Sequence, residues 1–150
     1  MSAAAQVKIG LRDAEGDVET LWADDLGGGR YRLDNVPFFV RDVSLGDVVA
    51  AAPDESGLPV MTAVLEKSGN RTLWVRFPGP IAADHPFLEF LKAAGCSYEG
   101  ARASLFAVNV PPGADLDAVA RYIEGRTPDD VEYDYGDPSD AAGDDDDDGD

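Results

Sequence analysis

Arg71-Thr-Leu-Trp-Val-Arg-Phe77 is the stretch whose reading decides the fold. Leu73, Val75 and Phe77 alternate with Thr72, Trp74 and Arg76, a period of two that predicts a strand with one apolar face and one mixed face. Just downstream the period changes. Asp84-His85-Pro86 carries the chemistry of a helix start, and Phe87, Phe90, Leu91 and Ala94 recur at helical spacing until Gly95. Cys96–Gly100 and Ser104–Val110 read as two strands joined by a tight turn. Asp115 is placed to cap a second helix with the stripe Leu116, Val119, Ala120 and Ile123, stopped by Gly125. Val131, Tyr133 and Tyr135 then alternate as a last strand.

The order over 69–136 is β-α-β-β-α-β, which predicts a ferredoxin-like unit of the α+β class. In the usual strand order Arg71–Phe77 lies between Ser104–Val110 and Val131–Tyr135, so Arg76 faces Glu132 or Asp134. The face bearing Trp74 and Leu105 then needs a cover, and the N-terminal half is the nearest candidate.

Upstream, 1–68 reads as a β-rich subdomain. Val7, Ile9 and Leu11 share one face, Ala14-Glu-Gly-Asp17 is a turn cluster, and Gly27–Gly29 is the tip of a hairpin between Val18–Leu26 and Arg30–Asn35. Asp47–Ala52 and Leu58–Lys67 flank the turn Pro53-Asp-Glu-Ser-Gly57. About five short strands at this spacing predict a small bent β-sheet or an SH3-like barrel, packed with 69–136 as one unit.

The chain of 150 residues has 30 acids against 12 bases and a formal charge of -18, with 44% hydrophobic residues to build a core. Eight acids and no base fall in 137–150, which therefore reads as a disordered acidic tail, and the rest still carries -10. The twelve bases are scattered singly, so no patch suits a phosphate backbone, and nucleic acids and anionic membranes are excluded as partners. A lone Cys96 makes neither an intrachain disulfide nor a cysteine zinc site. The start, Met1-Ser-Ala-Ala-Ala-Gln-Val-Lys8, lacks the pattern of a signal peptide, and no run is apolar enough to cross a bilayer, so the expected location is the cytoplasm.

Leu21-Trp22, Leu26-Gly-Gly-Gly-Arg-Tyr-Arg-Leu-Asp-Asn-Val-Pro-Phe-Phe-Val40 and Ser44-Leu-Gly-Asp-Val-Val49 together resemble the core of a bacterial family, domain of unknown function 4265. Glu66–Val75, Ala94–Gly100 and Ala107–Pro112 match its later features, so the resemblance covers about Val7 to Tyr135. It implies no activity, hence no catalytic residue to carry over, and the poly-Asp run is no part of the pattern.

Weighed singly, most candidate sites reduce to structure. Asp13-Ala-Glu-Gly-Asp17 has alternating acids, but its Gly is misplaced for a calcium loop and the ligand Glu is missing, so it reads as a polar turn. Gly27–Gly29 leads into a strand, whereas a phosphate loop opens a helix. His85 beside Asp84 has the make-up of a general base, yet the helix start explains both, and neither a serine elbow nor a reactive setting for Cys96 is visible. Asp34, Asp42 and Asp47 are the carboxylates from which an enzyme would have to be built, and they imply neither substrate nor metal. Trp22, Tyr31, Asn35, Phe38 and Phe39 form the densest cluster of large side chains. Two adjacent aromatics cannot face one side of a strand: the preference of aromatics for the core favours one Phe filling the barrel and the other sealing it against the second subdomain, and the functional alternative makes the cluster, with Trp74 and Arg76, the candidate ligand- or partner-binding patch.

These observations predict a non-enzymatic protein-binding or regulatory module of the inhibitor or immunity kind, whose partner is a basic protein. The alternative is a small-molecule sensor with a pocket between the two subdomains. RNA binding ranks last, because Ser104–Val110 lacks the aromatic and basic surface on which bases stack. No motif calls for a cofactor or a metal.

Overall fold

The computed structural model describes residues 5–126 and 131–137. Five strands, β1 (Ala5–Arg12), β2 (Val18–Gly27), β3 (Arg30–Leu33), β4 (Val48–Pro53) and β5 (Pro59–Glu66), close into a barrel in chain order. Neighbours pair antiparallel, and the seam between β1 and β5 closes parallel at Gly10 and Val60. A Cβ at Gly10 would stand 2.8 Å from a Val18 methyl and 3.0 Å from one of Leu58, so a side chain there would displace both. The alternating residues Ile9, Leu11, Leu21, Ala23, Leu33 and Val49 fill the interior, joined by Val40 and Val43 from the long β3–β4 connection.

The second sheet contains β6 (Arg71–Arg76), β7 (Ser97–Ala101), β8 (Leu105–Val110) and β9 (Glu132–Asp137) in the order β7-β8-β6-β9. Helices α1 (Pro86–Ala93) and α2 (Leu116–Arg126) cover one of its faces, burying Leu73, Val75, Phe106, Val108 and Val110 against Phe87, Leu91, Val119 and Ile123. Each start is capped by a side chain. His85 Nδ1 accepts from Phe87 N at 3.1 Å, and Asp115 Oδ1 accepts from Ala118 N at 3.1 Å. α2 continues through Gly125 to Arg126, one residue past the expected stop.

The α+β, ferredoxin-like expectation is corrected here. Strands hold 46% of the described residues and helices 14%, arranged as a five-stranded and a four-stranded sheet with two helices, so the molecule is mostly β. The reason is length. The helical periods around Phe87 and Val119 belong to segments of only 8 and 11 residues, while β2 alone has 10. A second correction concerns the tail: Asp137, placed in it by composition, is the last residue of β9 and is 1% exposed. The disordered acidic tail expected beyond it, 138–150, lies outside the described residues.

The face of β6 turned away from the helices carries Thr72, Trp74 and Arg76, and here the barrel meets the sheet. Thr72 is buried under Ser44, Trp74 is held by the β3–β4 connection, and Arg76 stands opposite Leu105 and Glu132.

Candidate functional site

The Asn35–Val40 bend has no ladder partner, so its backbone groups must be satisfied in another way. Two carboxylates do this from opposite sides. Glu19 on β2 accepts from Phe38 N at 2.6 Å and Phe39 N at 3.0 Å, and Glu99 on β7 accepts from Val36 N at 2.9 Å and Asn35 Nδ2 at 3.3 Å. Trp74 Nε1 donates to Pro37 O at 2.8 Å. Burial raises the Glu19 carboxyl, the amides of Phe38, Phe39 and Val40 oppose it, and the Glu99 charge adds to the rise. The bend is thereby fixed with Phe38 half-buried and Phe39 58% exposed.

Beside Phe39 opens a groove of about 520 Å³ floored by Phe38, Trp74, Leu105 and Tyr133. Its rim carries Asp13, Glu15, Glu132 and Asp134 against Arg41 and Arg76. Arg41 is committed: it pairs with Asp134, donates to Tyr135 O at 2.9 Å and lies 5.1 Å from the Trp74 ring. That pairing raises the guanidinium and lowers the Asp134 carboxyl. Tyr133 donates to Glu124, which pushes its hydroxyl up to about 12. Arg76 has no ion pair or side-chain hydrogen bond among the described residues. The indole of Trp74 rests on Gly136, where a Cβ would come within 2.8 Å of ring carbons. Only glycine permits that seat.

Of the residues singled out in the sequence, Phe38, Phe39, Trp74 and Arg76 come together in this groove. Trp22, Tyr31 and Asn35 do not line it. Trp22 stands on the outer barrel wall, 45% exposed, with Lys8 Nζ 4.8 Å above its ring, and Tyr31 packs against the barrel core. Asn35 is a tether, accepting from Trp22 N at 2.7 Å while reaching Glu99. The sequence reading missed Glu19, Glu99, Arg41 and Tyr133 as parts of the site. A hint was available for the two glutamates, since the bend Asn35-Val-Pro-Phe-Phe39 has donors that something must accept. Asp13 Oδ1 accepts from Glu15 N and Asp17 N, a local turn that also forms one wall of the groove.

A second polar cluster lies between barrel and sheet. Lys67 Nζ stands 2.6 Å from both Asp47 Oδ2 and Asp137 Oδ2 and 3.1 Å from Asp42 O. Ser44 Oγ donates to Asp137 Oδ2 at 2.7 Å and lies 2.8 Å from Thr72 Oγ1, while Ser44 N and Ser68 N donate to the two oxygens of Asp47. Burial pulls the Lys67 ammonium down, but the two carboxylates outweigh it and the group ends above its ordinary value. A serine near a lysine invites a catalytic reading. Ser44, Thr72 and Asp47 are fully buried, however, and only the Lys67 side chain, 26% exposed, reaches solvent, so the cluster ties barrel to sheet as a clamp. Cys96 is buried too, and burial raises its thiol. Among the described residues no group of three or more His, Cys, Asp or Glu side chains is placed to hold a metal, and no helix is long and apolar enough to cross a membrane.

The fold has a counterpart of known structure. A protein described as "Novel crystal structure of a hypothetical protein from Neisseria gonorrhoeae" is similar with a TM-score of 0.72 and 18% identity, over 91% of this chain and 97% of that one. At that identity the likeness shows the fold alone. No curated protein matches the chain. The model of the family described as "Domain of unknown function (DUF4265)" matches residues 19–132, a span that takes in both holding carboxylates, the bend and most of the groove. The chain belongs to that family.

Proposed function

We propose that this chain is a non-enzymatic binding module that regulates another, basic protein in the cytoplasm by docking on it through Phe39 and the adjoining groove. The observation that supports this reading most is the way Phe39 is presented. An aromatic residue 58% exposed is ordinarily a liability, yet here Glu19 holds the Phe39 amide itself while Glu99 and the Trp74 indole hold the preceding residues Val36 and Pro37 of the same bend. Pre-organised aromatic anchors lose little conformational entropy on binding, which is why they dominate interface energies. The net charge of -18 steers a basic partner toward the molecule and makes association fast at low salt.

The test is photo-crosslinking in the cells that make the protein, with a photoreactive phenylalanine analogue at position 39 and, as control, at position 22. A defined protein adduct formed from position 39 and not from 22 supports docking through Phe39. Adducts of equal yield at both positions, or none at 39, sink it.

A second reading, sensing of a small molecule, is supported by the groove volume of about 520 Å³, inside the range of roughly 300–1,000 Å³ common to ligand pockets. A small mass increment on the intact protein in native mass spectrometry, with a matching rise in melting temperature, would favour it over docking.

A further inference from the structure

Phe39 is more than the edge of one groove. On its far side lies a second hollow of about 410 Å³ lined by Asp13, Asp17, Val18 and Glu19, so the ring stands as a ridge between two depressions. The charges around this ridge are not balanced. Arg41 and Asp134 neutralise each other, and Asp13 is partly engaged by the amides of its own turn. Glu15, Asp17 and Glu132 have no ion pair among the described residues, and the single free cation of the groove is Arg76.

Resting on the docking reading above, we propose that the occupant is an extended, basic segment of a partner protein that crosses the Phe39 ridge. An apolar side chain of that segment enters the groove against Trp74 and Leu105. Lys or Arg side chains on either side of it reach Glu15 and Asp17 at one end and Glu132 at the other. Free Arg76 donates to main-chain carbonyls of the segment, which a chain without side-chain acids still offers. A neutral or acidic segment leaves three rim carboxylates facing apolar groups or like charge, which selects against it.

The experiment is selection of a random dodecapeptide display library on the full-length chain, after depletion on Phe39→Ser. Phe39 is mostly exposed, so this variant keeps the fold, and circular dichroism verifies that. The expected clones carry net positive charge with an apolar residue between basic ones. Synthetic copies should lose about tenfold or more in affinity with Phe39→Ser. They should lose several-fold with Glu15→Gln/Glu132→Gln and far less with the charge-matched remote pair Glu55→Gln/Asp117→Asn. Clones that depend on Phe39 but are neutral or acidic overturn the basic segment while leaving docking through Phe39 intact. Equal losses from the two charge pairs also overturn it, since attraction would then come from the whole acidic body. Failure to enrich any clone that depends on Phe39 overturns both readings.

Discussion

Replacing Lys67 by Met keeps much of the aliphatic stem and removes the ammonium that stands 2.6 Å from Asp47 Oδ2 and 2.6 Å from Asp137 Oδ2. Both carboxylates are almost wholly out of water, with side-chain exposures of 0% and 2%. Stranding buried charge by removing its partner costs about 3–5 kcal/mol. The hydrogen bonds that survive, from Ser44 N and Ser68 N to Asp47 and from Ser44 Oγ to Asp137, hold the expected loss near about 3 kcal/mol. Against a total stability of about 5–15 kcal/mol this is severe, and for a chain of this size it lowers Tm by roughly 10 °C. Urea unfolding followed by tryptophan emission measures it. Asp137→Asn in the same cycle should show coupling of at least about 1 kcal/mol with Lys67→Met. The alkaline limb gives an independent check. A lysine raised in the folded state contributes stability that is fully present below its ordinary 10.5 and lost as pH rises through the higher folded value, so the wild type should weaken there by more than Lys67→Met does. A loss below about 1 kcal/mol, or strict additivity with Asp137→Asn, would refute the view that the cluster clamps β9 to the barrel.

Four further outcomes are expected. Glu19, raised by burial, contributes stability that is complete below its ordinary 4.5 and lost as pH rises through its folded value, so Glu19→Gln should flatten the pH dependence of the urea midpoint across that window. In a Trp22→Phe background the same substitution should alter Trp74 emission, because the bend it releases carries the indole's acceptor, Pro37 O. Gly136→Ala should destabilise by about 1–3 kcal/mol and red-shift Trp74, since the added methyl enters the space of the ring; an unchanged spectrum would show that the seat can relax. His85→Ala should cost about 1 kcal/mol by removing the cap of α1, with His85→Asn recovering most of it, as read by thermal unfolding.

Element positions were legible wherever a short-range rule acts alone. The period-two alternation of Leu73, Val75 and Phe77 marks β6, Gly27–Gly29 turns β2 into β3 with three successive positive φ angles, and Asp115 does cap α2. The pairing of β6 with both β8 and β9, with Arg76 opposite Glu132, was also readable, because two helices on one face leave few ways to order four strands. The class was misjudged because the kinds of elements were counted and their lengths were not. Asp137 was misplaced because composition assigned it to the acidic run, whereas its neighbours in space, Lys67 and Ser44, lie 70 and 93 residues away in the chain.

The same asymmetry runs through the candidate site. Two adjacent phenylalanines in a bend cannot share one side, but the preference of aromatics for the core favours sealing both, and the structure corrects this: Phe39 stands exposed. What holds it there is invisible to any local rule, because Glu19 and Glu99 come from a barrel strand and a sheet strand and read in sequence as ordinary surface glutamates. Their placement makes the bend a joint product of the barrel and the sheet: releasing either carboxylate frees backbone amides that no other group among the described residues accepts. Exposure of Phe39 therefore depends on the two halves staying docked, and the Lys67 clamp and the Glu19–Glu99 arch are two ends of one requirement. It follows that Lys67→Met, about which nothing touches the groove, should weaken peptides selected through Phe39, whereas a peptide affinity indifferent to the clamp would mean that the bend holds its shape on the barrel alone.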